Sequence, residues 1–112
     1  MIIEQVSIAA QNERRHELGS ALATLVGPTN AEHGCLGCRL FQTWDRPSEF
    51  RIEARWVNVD SLIRHLQTDT YKRLLLLMEL GSVPPVLEFF TVEGVRGLDL
   101  VEAVRGDSGP AS

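Results

Sequence analysis

From Phe50 to Val57 the chain reads FRIEARWV, so Phe50, Ile52, Ala54 and Trp56 alternate with Arg51, Glu53 and Arg55. Successive side chains on a strand point to opposite faces, and this run therefore predicts a strand with one apolar and one charged face. The preceding run, CLGCRLFQTW, predicts a partner strand in which Leu36, Cys38, Leu40, Gln42 and Trp44 share a face. DRPSE between them, with Pro47 near its centre, has turn chemistry, so the two strands form an antiparallel hairpin across a five-residue turn. A hairpin alone is marginal in water, and its apolar face requires a cover.

The rest of the chain supplies that cover. IIEQVSIAA, from Ile2 to Ala10, is rich in β-branched residues and predicts a first strand. Leu18, Ala21, Leu22, Leu25 and Val26 recur at helical spacing behind a candidate Asn12 cap, and Gly27-Pro28 ends that helix. TNAEHG reads as a polar loop. Asn58 or Asp60 caps a short helix through Gln67, and TDT supplies a second cap before YKRLLLLMEL, which Gly81 closes. VLEFFTVE predicts a further strand, and LDLVEAV an extra C-terminal one.

The order is that of an α+β ferredoxin-like split βαβ sandwich, with helices on one face of an antiparallel sheet. Residues 1–105 make a single domain and residues 106–112 a flexible tail, whose GDSG echoes a serine-protease motif without a fold of matching size. The four leucines Leu74 to Leu77 cannot all face one core. Together with the uncovered charged sheet face, they predict a homodimer.

A net charge of -4, with no block of Lys and Arg interleaved with aromatics, excludes nucleic acid as a partner. No apolar stretch approaches the roughly 20 residues that span a bilayer, and MIIEQVSIAAQ has no basic segment or cleavage site, so no membrane partner and a cytoplasmic location are expected. Cys35 and Cys38 in CLGC have the spacing of redox and zinc motifs. A tetrahedral zinc needs about four ligands, and only His33 stands near enough in sequence to join them. Residues three apart on a strand point to opposite faces, which disfavours a disulfide. They read as reduced, partly buried thiols, and no metal or cofactor is expected.

From Gly34 to Glu93 the chain resembles the antibiotic biosynthesis monooxygenase family. The matching parts are GCLGCRLF, DRPSEF, Trp56 closing a strand, LIRHLQTDTYK, and PPVLEFFTV. The resemblance implies a dimeric α+β barrel with a pocket in each subunit between sheet and helices. It also implies a range of activities: oxidation of phenols without metal or flavin, haem degradation, or isomerisation of small hydroxyketones. Where the family often has a Glu two residues before the Trp, this chain has Ala54, so an acidic group facing the pocket is expected to be absent. In the haem-degrading branch a Trp stands at the place of His65 and the axial His at the place of Leu75, which sets that branch aside.

The function expected is a cofactor-independent monooxygenase acting on a small aromatic or enolisable substrate. The alternatives are a non-catalytic binding or dimerisation module, or a hydroxyketone isomerase. His65, flanked by Leu62 and Leu66 at helical spacing, reads equally as the catalytic base and as a core-edge histidine bonded to backbone. Tyr71 is its candidate hydrogen-bond partner toward substrate. Trp56 and Trp44 are candidate substrate walls, with packing as the competing role of each. Ser7 is a candidate for the pocket floor. Asn58 is a candidate substrate contact, with helix capping as its competing role. His16 and His33 read as solvated. A working pocket of at least ~300 Å³ would be expected for an aromatic substrate.

Overall fold

The structure, a computed structural model, describes residues 1–106. Strand β1 (Ile2–Ala9) leads through a 3₁₀ turn (Asn12–Arg14) into helices α1 (Arg15–Ala23) and α2 (Val26–Asn30). Strands β2 (Cys35–Thr43) and β3 (Arg46–Trp56), helices α3 (Val59–Leu66) and α4 (Asp69–Met78), strand β4 (Val86–Thr91) and helix α5 (Leu98–Arg105) follow. The four strands form one antiparallel sheet in the order β2-β3-β1-β4. This is the expected α+β order, and in the single chain the sheet stays open rather than closing into a barrel.

Alternation decides the two faces. Ile2, Glu4, Val6 and Ile8 of β1 lie on the buried face, as do Phe50, Ile52, Ala54 and Trp56 of β3. Leu18, Leu22, Leu25, Leu62, Tyr71 and Leu74 pack onto that face from the helices and complete the core. The approach of α1 is close enough that a Cβ on Gly19 would meet the Phe50 ring at 2.9 Å. On the opposite face the charges are satisfied within the chain. Gln5 donates to Glu53 at 3.1 Å, Arg55 pairs with Glu53 at 3.3 Å, and the Arg51 guanidinium lies 5.0 Å from the Phe41 ring centre. Phe41, Val86 and Phe90 remain exposed there.

Several local expectations are corrected. LDLVEAV is a helix, not an extra strand: Asp99 accepts from the Gly97 N–H at 2.9 Å and the Arg96 Nε at 2.8 Å, which organises its first turn. Gly106, at φ 71°, closes the other end by donating to the Glu102 carbonyl at 3.0 Å. A helix satisfies its own backbone, whereas a fifth strand needs a sheet edge beside it. No residue of α5 is buried. Gly106 is thus a helix cap, and the rest of the expected tail, with most of GDSG, lies outside the described residues.

Gly27-Pro28 does not terminate helical structure. Helix α1 stops at Ala23, and Pro28 sits in the first turn of α2, where a missing N–H leaves no helical bond unmade. The expected polar loop begins inside α2: Thr29 is buried, and Asn30 holds the Cys38 backbone through both a donor and an acceptor, at 3.1 and 2.9 Å. The hairpin turn is also shorter than expected. Thr43 pairs with Arg46 around Trp44-Asp45, and Pro47 falls in an irregular stretch where no ladder N–H is required.

Candidate functional site

Trp56 ends β3 with no exposed surface, paired with Ile2 on one side and Cys35 on the other. The chain turns at once into α3, because the Asn58 side chain accepts from the Ser61 N–H at 2.9 Å and caps the helix. Gly34, at φ 85°, lets the entry to β2 pass under this cap, since any Cβ there would collide with the Ser61 side chain. The first turn so placed directs Ser61, Leu62 and His65 inward, while Leu66 stays at the rim, 36% exposed. Thr68 then holds two ends at once. Its hydroxyl donates to the His65 carbonyl at 2.7 Å and accepts from the Tyr71 N–H at 3.2 Å, fixing how α3 and α4 meet.

These local choices assemble one buried cluster. The His65 ring stacks on Trp56 with centroids 4.4 Å apart, and Tyr71 meets its edge at 5.2 Å. Two carboxylates complete it. Glu32, in the loop after α2, places its oxygens 2.9 and 3.1 Å from His65 Nδ1. Glu4, in the middle of β1, places Oε1 3.3 Å from His65 Nε2 and 3.4 Å from the Trp56 indole nitrogen. His65 and Glu4 are each only 3% exposed, and Glu4 Oε2 has no hydrogen-bond partner.

The electrostatics follow from this geometry. Burial by itself pushes the His65 pKa down, but the hydrogen bonds and charges of Glu4 and then Glu32 outweigh it, so the net shift is upward. As an imidazolium, His65 donates from both nitrogens, and neither keeps a free lone pair. Burial, then the Glu4 charge, raises Tyr71. Beside the cluster lies a cavity of about 10 Å³, bordered by Glu4, Thr29, Cys38, His65, Tyr71 and Leu74. It holds a single water-sized group, far below the ~300 Å³ expected for an aromatic substrate.

The thiols also sit here, and their geometry departs from the expected strand. A register shift between Cys35 and Gly37 pairs Cys35 with Trp56 and Cys38 with Ala54, so the bulge turns both toward the helices. Burial raises both thiols, and Cys38 reaches about 12, with Cys35 and Glu4 adding to the effect. Both are free thiols, and among the described residues no group of three or more His, Cys, Asp or Glu side chains is arranged to hold a metal ion.

Of the residues singled out in the sequence, the structure brings His65, Tyr71 and Trp56 together. It does not bring the others to them. Trp44 is 98% exposed at the hairpin turn. Ser7 lies on the open sheet face opposite Arg51, bordering a cleft of about 430 Å³ with Phe41 and Val86. Asn58 is engaged as a cap. Glu4 and Glu32 were missed. A signal for Glu4 existed, a lone charge at an inward position between Ile2 and Val6; none existed for Glu32, whose partner is 33 residues away.

Residues 1–75 match the sequence pattern of the antibiotic biosynthesis monooxygenase family. The chain belongs to that family. Within this monooxygenase family the match runs through β1, so it includes Glu4 as well as the recognised parts from Gly34 to Lys72, while PPVLEFFTV lies beyond it. The acidic group thought absent because of Ala54 is therefore present by another route: Glu4 stands directly opposite Ala54 in the register of β1 and β3.

Solved structures share the fold. A candidate antibiotic biosynthesis monooxygenase from Deinococcus radiodurans superposes with a TM-score of 0.78 at 20% identity, covering 87% of this chain and 97% of that one. The Mycobacterium tuberculosis protein Rv0793 gives 0.76 at 20% identity over 86% and 98%. PA3566 from Pseudomonas aeruginosa gives 0.73 at 24% over 83% and 94%. No curated protein matches the chain.

Proposed function

We propose that this chain is a cofactor-independent monooxygenase, or an oxidoreductase close to it, working as a cytoplasmic homodimer on a small enolisable or phenolic substrate. The observation that carries this reading is the buried carboxylate–imidazole–carboxylate cluster of Glu4, His65 and Glu32 at the edge of a cavity, in a member of a monooxygenase family. Burying three ionisable groups opposes folding unless they are paired, and a perturbed titratable group beside a cavity is a mark of function. In such chemistry the protein removes a proton, and the resulting anion reduces dioxygen within a dry site. Tyr71 lends a hydrogen bond to a substrate oxygen, and Trp56, which does not border the cavity, backs the His65 ring.

The cavity holds a single water-sized group, so a polycyclic substrate is set aside and the cluster has to open to admit even a small enolisable compound. A second reading, isomerisation of a small hydroxyketone, needs the same proton abstraction without dioxygen. Were the cluster structural, the chain would be a non-catalytic binding module. Dioxygen uptake against small enolisable ketones, hydroquinones and anthrones, without added metal or flavin, tests the first reading. Turnover without dioxygen consumption selects the second, and no turnover of either kind leaves only the module.

Dimerisation rests on uncovered apolar surface. Phe41, Val86 and Phe90 on the open sheet face, Leu75, Leu76 and Leu80 in and just after α4, and Leu98, Leu100, Val101 and Val104 of α5 are all exposed. The radius of gyration, 16.9 Å, exceeds the about 13 Å of a compact chain this long. A second copy facing the sheet would close the barrel. No helix among the described residues is long and apolar enough to cross a membrane, and the net charge of -4 disfavours nucleic acid.

A further inference from the structure

We propose that two copies of this chain pack their open sheet faces together about a two-fold axis parallel to the strands, so that Glu88 and Phe90 on β4 of each copy seat against Arg39 and Gly37 on β2 of the other. The inference rests on the homodimer proposed for this chain and gives it a register. Charge carries it first. Arg39, Glu53, Gln5 and Glu88 form one row straight across the four strands on the open face. In the middle of that row, Gln5 and Arg55 engage the two oxygens of Glu53. Arg39 and Glu88 lie exposed at its ends, and among the described residues no ion pair or side-chain hydrogen bond engages either. Three strand spacings, about 14 Å, keep them from each other within one chain.

Two copies of one sheet align face to face about a two-fold axis that runs either across the strands or along them. An axis across the strands lays each strand over its own copy, so Arg39 meets Arg39 and Glu88 meets Glu88. An axis along the strands lays β2 over the partner's β4 and keeps each row, so Arg39 meets the partner's Glu88 at one edge of the interface and Glu88 meets the partner's Arg39 at the other. Facing sheets lie about 10 Å apart, a gap that an arginine and a glutamate reaching toward each other span. Like charges set face to face oppose association, so the row selects the second axis.

The shape of the face agrees independently. A hollow of about 260 Å³ lies beside Arg39, bordered by Gly37, Phe41 and Arg55, and a Cβ on Gly37 would meet nothing within 4 Å. Gly37, Arg55, Ile3 and Phe90 make the next row, so the same axis brings the partner's Phe90 over that hollow. In the row on the other side, Phe41 meets the partner's Val86, and both side chains are exposed in the single chain. A large side chain thus faces a small one in each apolar row.

Charge-swapped variants test this by sedimentation over a concentration series, with native mass spectrometry to identify mixed species and circular dichroism to report folding. Arg39→Glu and Glu88→Arg should each weaken self-association by about 10²-fold or more, because each sets like charges face to face at both edges. Mixed in equal amounts, the two should form a heterodimer that holds within ~10-fold of wild type, since every facing pair is again opposite in sign. The double variant should form a homodimer of the same strength by itself. Gly37→Trp, which fills the hollow and leaves both charges in place, should weaken association as well. Single variants that associate as tightly as wild type, or folded variants that stay monomeric when mixed, overturn the proposal, and a Gly37→Trp dimer as tight as wild type overturns the seating of Phe90. A monomeric wild type removes the homodimer together with its register. A wild-type dimer indifferent to all of these changes keeps the homodimer and removes the register alone.

Discussion

The imidazole of His65 lies on the indole of Trp56, ring centroids 4.4 Å apart and planes 30° from parallel. A charged ring on a π face is favourable, and in this pose its two nitrogens reach Glu4 and Glu32 on opposite sides. Trp56 also donates to Glu4, so strand end, helix and neighbouring strand are tied through one ring.

His65→Ala leaves two carboxylates without their partner, one of them fully buried. Removing one member of a buried ion pair costs about 3–5 kcal/mol, and Glu32, at 20% side-chain exposure, recovers some hydration, so the lower end is expected. Urea unfolding of wild type and variant measures it. A loss under about 1 kcal/mol would mean that the carboxylates relax into water and that the cluster is not the buried network described.

The pH dependence has a defined sign. The folded pKa of His65 lies above its unfolded value of about 6.5, so the folded state binds the proton more tightly. The resulting stabilisation is fully present below the unfolded pKa and is lost as pH rises through the folded pKa. Urea midpoints between about pH 6 and 9 should fall for wild type and stay flatter for His65→Gln. Parallel profiles would show that His65 does not titrate as its neighbours dictate.

Cys38 should be unreactive in the native protein. Its thiol is 4% exposed and held near 12, and only the thiolate attacks. Iodoacetamide at pH 8 should label it only after denaturant is added, with Cys35 slowed to a lesser degree; mass spectrometry locates the label. Rapid native labelling of Cys38 would require α2 to open away from β2.

Sedimentation should report a dimer at micromolar concentration, burying roughly 2,000 Å² or more. Phe90→Glu, on the open sheet face where Phe90 is 42% exposed, should yield a monomer with an unchanged far-ultraviolet spectrum. A wild-type monomer would rule out the closed barrel in solution.

Strand and helix signals were local, and most were legible. The alternation of Phe50 to Trp56 was readable because a strand's period of two is written in neighbouring residues. The Asn58 and Thr68 caps were readable because each bonds an N–H within three residues. LDLVEAV misled because seven apolar-rich residues suit either period, and only the Asp99 and Gly106 contacts select the helix. The CLGC bulge was equally hidden: one displaced pairing reverses a side chain, and pairing belongs to the sheet rather than the strand.

His65, Tyr71 and Trp56 could be proposed from the sequence because one short strand–helix–helix segment carries all three, and local geometry nearly suffices to join them. The polar heart of the site could not. Glu4 reaches His65 across 61 residues of chain and Glu32 across 33, and neither separation leaves a periodic trace. What makes an inward glutamate tolerable is a charge partner, and partners are chosen by the folded surface as a whole. The sequence determined most of the elements and the buried face of β3, since burial there follows from periodicity. Only the tertiary structure decided that two distant carboxylates converge on one imidazole and leave a single carboxylate oxygen buried without a partner, because electrostatic pairing depends on distance in space and not on distance along the chain.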